Sequence, residues 1–237
     1  NIVSRVKYDG LGRTVAAWGV VYCKNFSETK PETTYEYVNW SSASSPNKVV
    51  ARQRKDLNST AFFSTYAYLD GMGRTIQTQT PSEEAGKMLL SGAVDYDTLG
   101  RVKKQYVGYK TAGNGSYIAA PVKNYPTAFT YDAVGRVIRT DHPDGTYNRT
   151  FYNDYVTTTV DKSGKQLRTT VDAYGRLVKA ETFKGSYPTA VVYSTTINAY
   201  DALGRLVKTT DSRGNCNTIT YNNLGQKVAM RDMDMGK

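Results

Sequence analysis

The sequence predicts an all-β fold, an antiparallel meander of hairpins drawn out into a curved ribbon. Three observations predict it: a strand-forming composition, a six-residue turn phrase that recurs along the chain, and short β-branched runs between its copies. Among 237 residues stand 29 Thr, 22 Val and 20 Tyr, against only 11 Leu. The first three suit a pleated, half-buried surface, whereas Leu is what a helical bundle needs. Twenty Gly and seven Pro supply turns. A mean hydropathy of −0.54 and the lack of any apolar run near 20 residues speak against a membrane-crossing helix. Aromatic residues, 12% of the chain, speak against disorder.

The turn phrase opens as Tyr8-Asp9-Gly10-Leu11-Gly12-Arg13 and returns as Leu69-Asp70-Gly71-Met72-Gly73-Arg74 and Tyr96-Asp97-Thr98-Leu99-Gly100-Arg101. It continues as Tyr131-Asp132-Ala133-Val134-Gly135-Arg136, Val171-Asp172-Ala173-Tyr174-Gly175-Arg176 and Tyr200-Asp201-Ala202-Leu203-Gly204-Arg205. An altered copy follows, Tyr221-Asn222-Asn223-Leu224-Gly225-Gln226. Each position has turn chemistry. Asp or Asn can accept a backbone N–H just downstream of itself. Gly in the fifth place supplies the positive φ that closes a short hairpin through a bulge. Arg starts the returning strand within reach of the Asp, and an exposed pair of this kind, worth about 0–1 kcal/mol, sets geometry more than stability. The apolar residue before each Gly is expected to tuck beneath its hairpin into a shared core. These Asp, Asn, Gly and Arg positions read as structural turn residues.

The flanks read as strands. Thr127-Ala128-Phe129-Thr130-Tyr131 precedes the fourth turn, Val137-Ile138-Arg139-Thr140 follows it, and Leu206-Val207-Lys208-Thr209-Thr210 follows the sixth. A weaker turn phrase lies between the main ones, at Asp144-Gly145, Asp161-Lys162-Ser163-Gly164 and Asp211-Ser212-Arg213-Gly214. Turns thus come every 10 or 11 residues, which leaves strands of about six, so the chain from about 127 onward is expected to be a continuous meander. Residues 16–60, with a strand candidate at Tyr35-Glu36-Tyr37, and residues 106–126 are less regular. Both are expected to be longer strands and loops of the same sheet. No composition shift marks a boundary, so 1–237 reads as a single repeat region.

Thirty-one basic against 21 acidic residues give a net charge of +10 and a pI near 9.4. Cationic runs such as Arg52-Gln53-Arg54-Lys55 and Arg101-Val102-Lys103-Lys104 are short and dispersed, which argues against a nucleic-acid partner. Nothing assembles into an active site. The one histidine, His142, precedes Pro143-Asp144-Gly145 and so falls at a turn, away from an enclosed triad. Cys23 and Cys216 are too far apart for a zinc pair and read as two buried thiols, with one disulfide as the alternative. Asp232-Met233-Asp234-Met235-Gly236 alternates acids as a calcium loop does but lacks the later acidic ligand. Asp95 with Asp97, and Glu83 with Glu84, are the carboxylate pairs a glycosidase would need, yet neither shows a reason for one acid to be buried. Gly71-Met72-Gly73 and Gly113-Asn114-Gly115 lack the Gly-Lys-Ser/Thr of a phosphate loop. Sequons at Asn25, Asn39, Asn58, Asn114 and Asn148 would matter in a eukaryotic secreted chain and would be accidental in a bacterial one. The reading is a protein that is no enzyme, with no cofactor and no metal. The recurring Tyr and Arg fit either a surface that stacks on sugars or packing between neighbouring hairpins, and packing is the simpler.

The Tyr-Asp-x-x-Gly-Arg phrase, and the 21-residue unit from Tyr200 to Tyr221, resemble the YD repeat of the RHS-repeat proteins. That family includes bacterial RHS toxins, the B and C components of insecticidal toxin complexes, wall-associated proteins and, more distantly, teneurins. The resemblance covers nearly the whole chain and is weakest over about 16–60. It implies a hairpin ribbon that spirals into a hollow shell, which in toxin members encloses a variable C-terminal effector. The chain is then a structural shell segment of a secreted or cell-surface toxin-type protein, and its partners are the remaining repeats and the effector domain. The alternative is a surface module that binds carbohydrate or protein. The sequence departs from the full pattern, with no recognisable core-ending segment, a start at Asn1 and a stop at Lys237 where another hairpin is expected. It therefore reads as one wall panel of a longer parent, whose unpaired strand edges invite edge-to-edge self-association.

Overall fold

Hydrogen-bonded strands carry the whole architecture: 20 strands and no helix are found among the described residues, which are 4–19, 31–38, 46–56, 59–113, 115–119 and 126–233 of a computed structural model. Contacts divide the chain into two units, 1–128 and 129–237.

The first unit holds β1 (Arg5–Tyr8), β2 (Thr14–Trp18), β3 (Thr33–Val38), β4 (Asn47–Arg54), β5 (Phe62–Leu69), β6 (Thr75–Pro81), β7 (Lys87–Ser91), β8 (Val94–Tyr96), β9 (Val102–Gln105) and β10 (Tyr109–Ala112). Eight of them form an antiparallel sheet in the order β1-β2-β3-β4-β5-β6-β7-β10. The Tyr35-Glu36-Tyr37 candidate is β3, paired to β4 from Thr33–Gln53 to Val38–Lys48. β8 and β9 form a separate hairpin, with Asp95 opposite Lys104, and β9 also pairs with Thr127 and Ala128. Period-two alternation decides which side chains go in. In β6, Gln77 and Gln79 are buried between half-exposed neighbours, and in β7 Met88 and Leu90 are buried while Lys87 and Leu89 are exposed. Register lines up Val50, Tyr66, Gln79 and Leu90 across four strands of one face.

A strap, residues 115–119, lies on that face. Gln79 Nε2 donates to Ser116 O at 2.8 Å and Gln77 Nε2 to Ile118 O at 2.9 Å, while Ile118 N donates to Gln77 Oε1 at 3.3 Å. The Tyr68 hydroxyl donates to Gly115 O, and the Tyr68 and Tyr117 rings sit 5.3 Å apart. Side-chain amides thus serve the strap's backbone as a neighbouring strand would.

The second unit continues through β11 (Thr127–Tyr131), β12 (Val137–Asp141), β13 (Tyr147–Asn153), β14 (Val156–Val160), β15 (Gln166–Val171), β16 (Leu177–Lys184), β17 (Val191–Tyr200), β18 (Leu206–Thr210), β19 (Cys216–Tyr221) and β20 (Lys227–Arg231). Each strand lies beside its predecessor, so the meander expected from about 127 onward is what the chain forms. Among the described residues of this unit only Val160 and Glu181 are buried, as befits a single layer.

Register also separates charge. Phe151, Thr158, Arg168, Glu181 and Thr195 stand opposite one another across five strands. Arg139, Arg149, Lys179, Lys208 and Arg231 share that face. The other face shows the rows Thr150, Thr159, Leu167, Thr182, Ser194 and Tyr152, Thr157, Thr169, Ala180, Thr196, with no charge in either. On the charged face, Arg168 Nε donates to Glu181 Oε2 at 2.6 Å and Lys179 Nζ meets Oε1 at 2.8 Å. Those two cations, Arg168 first, hold the Glu181 carboxyl down at about 2.

Candidate functional site: the repeated turns and the clamp between hairpins

At Asp132, the backbone N–H donates to Arg136 O at 2.9 Å, and Gly135 N donates to Asp132 O at 3.1 Å. The carboxylate does the rest. Its Oδ1 accepts from the N–H of Val134 and of Arg136, at 3.0 and 2.8 Å, and its Oδ2 accepts from Arg136 Nε at 2.7 Å. Gly135 has φ +90 and open space around it, so only its backbone conformation demands glycine.

The same bonds recur. Arg Nε reaches Asp Oδ2 in Asp9–Arg13, Asp70–Arg74, Asp97–Arg101, Asp172–Arg176 and Asp201–Arg205 at 2.6 to 2.8 Å. Gly12, Gly73, Gly100, Gly175, Gly204 and Gly225 all have φ between +77 and +81. In the altered copy, Asn222 Oδ1 accepts from Leu224 N at 3.0 Å and Gln226 N at 2.9 Å. There Asn222 Nδ2 donates to Gln226 Oε1 at 2.8 Å, a neutral bond where the other turns have an ion pair.

These contacts keep the carboxylates ionised. For Asp9 and Asp201 the largest cause is the Arg backbone N–H, which lowers the pKa below the usual range. For Asp70, Asp97, Asp132 and Asp172 desolvation pushes upward and is outweighed by the Arg N–H and guanidinium together, so they too are lowered.

The Arg then crosses to the next hairpin. Arg13 lies over Tyr37 at 4.4 Å, Arg74 over Tyr96 at 3.9 Å, Arg136 over Tyr152 at 4.1 Å, Arg176 over Tyr200 at 4.9 Å and Arg205 over Tyr221 at 4.8 Å. Each of these tyrosines donates its hydroxyl to the carbonyl just after that Arg: Thr14, Thr75, Val137, Leu177 and Leu206, at 2.8 to 3.4 Å. Arg74 Nη1 also donates to Gly100 O, and Arg205 Nη1 to Asn222 O, at 3.0 and 3.2 Å. Ring face and hydroxyl are both engaged by the preceding turn. The composition signalled the Tyr and the Arg, but their pairing across hairpins needs the strand register.

The tips differ from expectation. Leu11, Met72, Leu99, Val134, Tyr174, Leu203 and Leu224 are 74–84% exposed instead of tucked beneath their hairpins. Each tip N–H points to the turn's Oδ1, which sends the side chain outward.

Of the other candidates, Asp95 accepts from the Tyr106 hydroxyl at 2.7 Å and Asp97 is taken up by Arg101. Both line an open cleft of about 510 Å³ with Lys103, Lys104 and Tyr117. Burial, then the bond to Asp95, pushes the Tyr106 hydroxyl up to about 12. Glu84 joins Lys87 and Lys110 in ion pairs. His142 is the first residue of a turn, its N–H donating to Thr146 O at 2.8 Å. Cys216 is half-buried, while Cys23, the sequons other than Asn148, and Asp234-Met235-Gly236 lie outside the described residues. Among the described residues no three His, Cys, Asp or Glu side chains are gathered as metal ligands, and no helix is long and apolar enough to cross a membrane.

Residues 42–166, just over half of the chain, match a family described as a domain of unknown function, DUF6443. The chain belongs to the DUF6443 family. No curated protein sequence matches it. Solved structures do resemble it. Against the crystal structure of TcdB2–TccC3, the DUF6443 chain aligns with a TM-score of 0.77 at 16% identity, over 98% of its own length and 15% of that chain. Against TcdB2–TccC3 without its hypervariable C-terminal region the TM-score is 0.72 at 12% identity, over 97% and 18%. Against a Photorhabdus luminescens Tc holotoxin pore it is 0.63 at 16%, over 80% and 11%. The DUF6443 chain therefore shares the fold of a stretch of these Tc toxin chains while spanning less than a fifth of their length.

Proposed function

We propose that the chain is a structural β-hairpin shell segment of a secreted or surface bacterial RHS/YD-repeat protein of toxin type, one continuous repeat region that helps to enclose and present a C-terminal effector. The observation that carries this reading is the clamp, in which the contacts of the repeated Asp, Gly, Arg and Tyr described above run within a hairpin or to the next one. Residues so engaged hold a wall together, and none of these turn residues is left poised as an acid, base or nucleophile. The fold shared with TcdB2–TccC3 chains points the same way. A carbohydrate-binding role finds less support, since five repeat tyrosines already have an Arg over the ring.

The test is limited proteolysis of the full-length parent. Replacing Arg136, Arg176 and Arg205 with Ala should expose a downstream effector to protease that the parent otherwise shields. Equal cleavage in parent and variant would refute enclosure.

A further inference from the structure

Strand pairing in the second unit gathers basic residues that the sequence scatters. Arg139, Arg149, Arg168, Lys179, Lys208 and Arg231 are far apart along the chain, yet all stand on one face of the sheet. They also fall in order across it. Arg139 and Arg149 are opposite each other on β12 and β13. Arg168 of β15 lies in the row of Phe151, two residues along β13 from Arg149. Lys179 of β16 lies one row further, opposite Thr170, and Lys208 of β18 one row beyond that, level with Thr218 and Arg231. With strands about 4.8 Å apart and rows about 6.8 Å apart, the cations form a diagonal about 40 Å long, in steps of about 5–12 Å.

Acids on this face are too few to neutralise it. Strands β12 to β20 contain two, Asp141 and Glu181, against the six cations. Asp141 takes up Arg139, and Glu181 takes up Arg168 and Lys179 together. Arg149 rests on Tyr147, 4.8 Å from the ring centroid, while Lys208 and Arg231 are exposed. Among the described residues no carboxylate pairs with any of these three. The turns differ, because there Asp144, Asp161 and Asp211 stand beside Lys162, Lys165 and Arg213 and the charge balances. Cations in a line, with four positive charges left over, fit a linear polyanion lying across the strands. Aromatic rings select which polyanion. Phe151, 41% exposed, stands between Arg149 on its own strand and Arg168 in its own row, and it stacks on Tyr187 at 5.6 Å. Carboxylates or sulfates would use the cations and leave that ring idle, whereas a nucleic-acid strand uses both, phosphates on the guanidinium forks and unpaired bases on the ring. We propose that this face binds single-stranded nucleic acid along the diagonal. Such binding does not depend on the chain being a shell panel.

Fluorescence anisotropy of a labelled oligo-dT of about 16 nucleotides, titrated with the 237-residue chain, tests it. Binding should saturate, and the logarithm of the association constant should fall with the logarithm of salt at a slope near −3, about 0.7 for each surplus charge. Arg149→Ala/Lys208→Ala/Arg231→Ala should weaken binding by about tenfold or more and flatten the slope by about 2, at unchanged circular dichroism. Lys162→Ala/Lys165→Ala/Arg213→Ala removes the same net charge at the turns and should cost less than about threefold. Phe151→Leu should weaken binding at an unchanged slope. Absence of saturable binding at low salt, a slope flatter than about −1, or equal losses in the two triple variants overturns the proposal. The wild-type slope needs no variant to fold. If Phe151→Leu binds as the parent does, or if polyglutamate competes as strongly as unlabelled oligo-dT, the partner is an acidic polymer without bases and the nucleic-acid assignment falls.

Discussion

The guanidinium of Arg136 lies 4.1 Å over the ring of Tyr152, whose hydroxyl donates to the carbonyl of Val137 at 3.3 Å. One tyrosine thus grips both the side chain that closes the preceding turn and the backbone beside it. Cation and ring should couple by about 0.5–1 kcal/mol. A double-mutant cycle with Arg136→Ala and Tyr152→Leu measures this, and additivity of the two changes would mean that the stacking contributes nothing.

Two glycines with open surroundings separate backbone strain from crowding. Gly135 has a positive φ and Gly71 does not, and at neither would an added Cβ meet another atom within 4 Å. Gly135→Ala should destabilise by about 1 kcal/mol or more, while Gly71→Ala should be neutral or slightly stabilising. Thermal melts of the two variants give the comparison, and equal melting temperatures would contradict the turn geometry.

Acid should loosen the second unit through Glu181. Its folded pKa is about 2, against about 4.3 for an unfolded glutamate. Because the folded value is the lower one, the stabilisation is complete above the unfolded pKa and is lost as pH falls from about 4.5 towards 2. Glu181→Gln should cost about 1–2 kcal/mol at neutral pH, the partner cations being exposed enough for solvent to screen them. Its melting temperature should converge with that of the parent chain as pH approaches 2.

Gln79→Leu removes the amide that bonds Ser116 O at 2.8 Å, leaving that carbonyl without this donor on a buried face. The loss should be about 1–3 kcal/mol, concentrated in the strap. Hydrogen exchange should quicken at residues 115–119 before it does in β5 or β6, and uniform quickening would show that the strap is no separate element.

The meander after about residue 127 was legible because its information is local: a carboxylate, a glycine and an arginine at fixed spacing bend the chain without help from distant residues. The strap over β6 was not, since bonds from Gln77 and Gln79 to Ile118 and Ser116 join positions about 40 apart and leave no period. One hint was present, two amides in strict alternation at Gln77 and Gln79 on a strand with an inward face. The tips misled for another reason. Hydrophobicity says that Leu203 belongs inside, but its N–H is committed to Asp201 at 3.0 Å and its side chain leaves the hairpin outward. Segregation of Arg168 and Glu181 from the uncharged threonine rows depends on register, which one bulge in a strand can shift.

Because the Arg of each clamp reaches only to the hairpin that carries its Tyr, a hairpin is joined to its neighbours by the same small set of contacts. A gene segment encoding one such unit can be duplicated or deleted and the flanking units will still meet with matching partners. Ribbon length is then a quantity that recombination can tune in whole steps, with no redesign of what lies on either side.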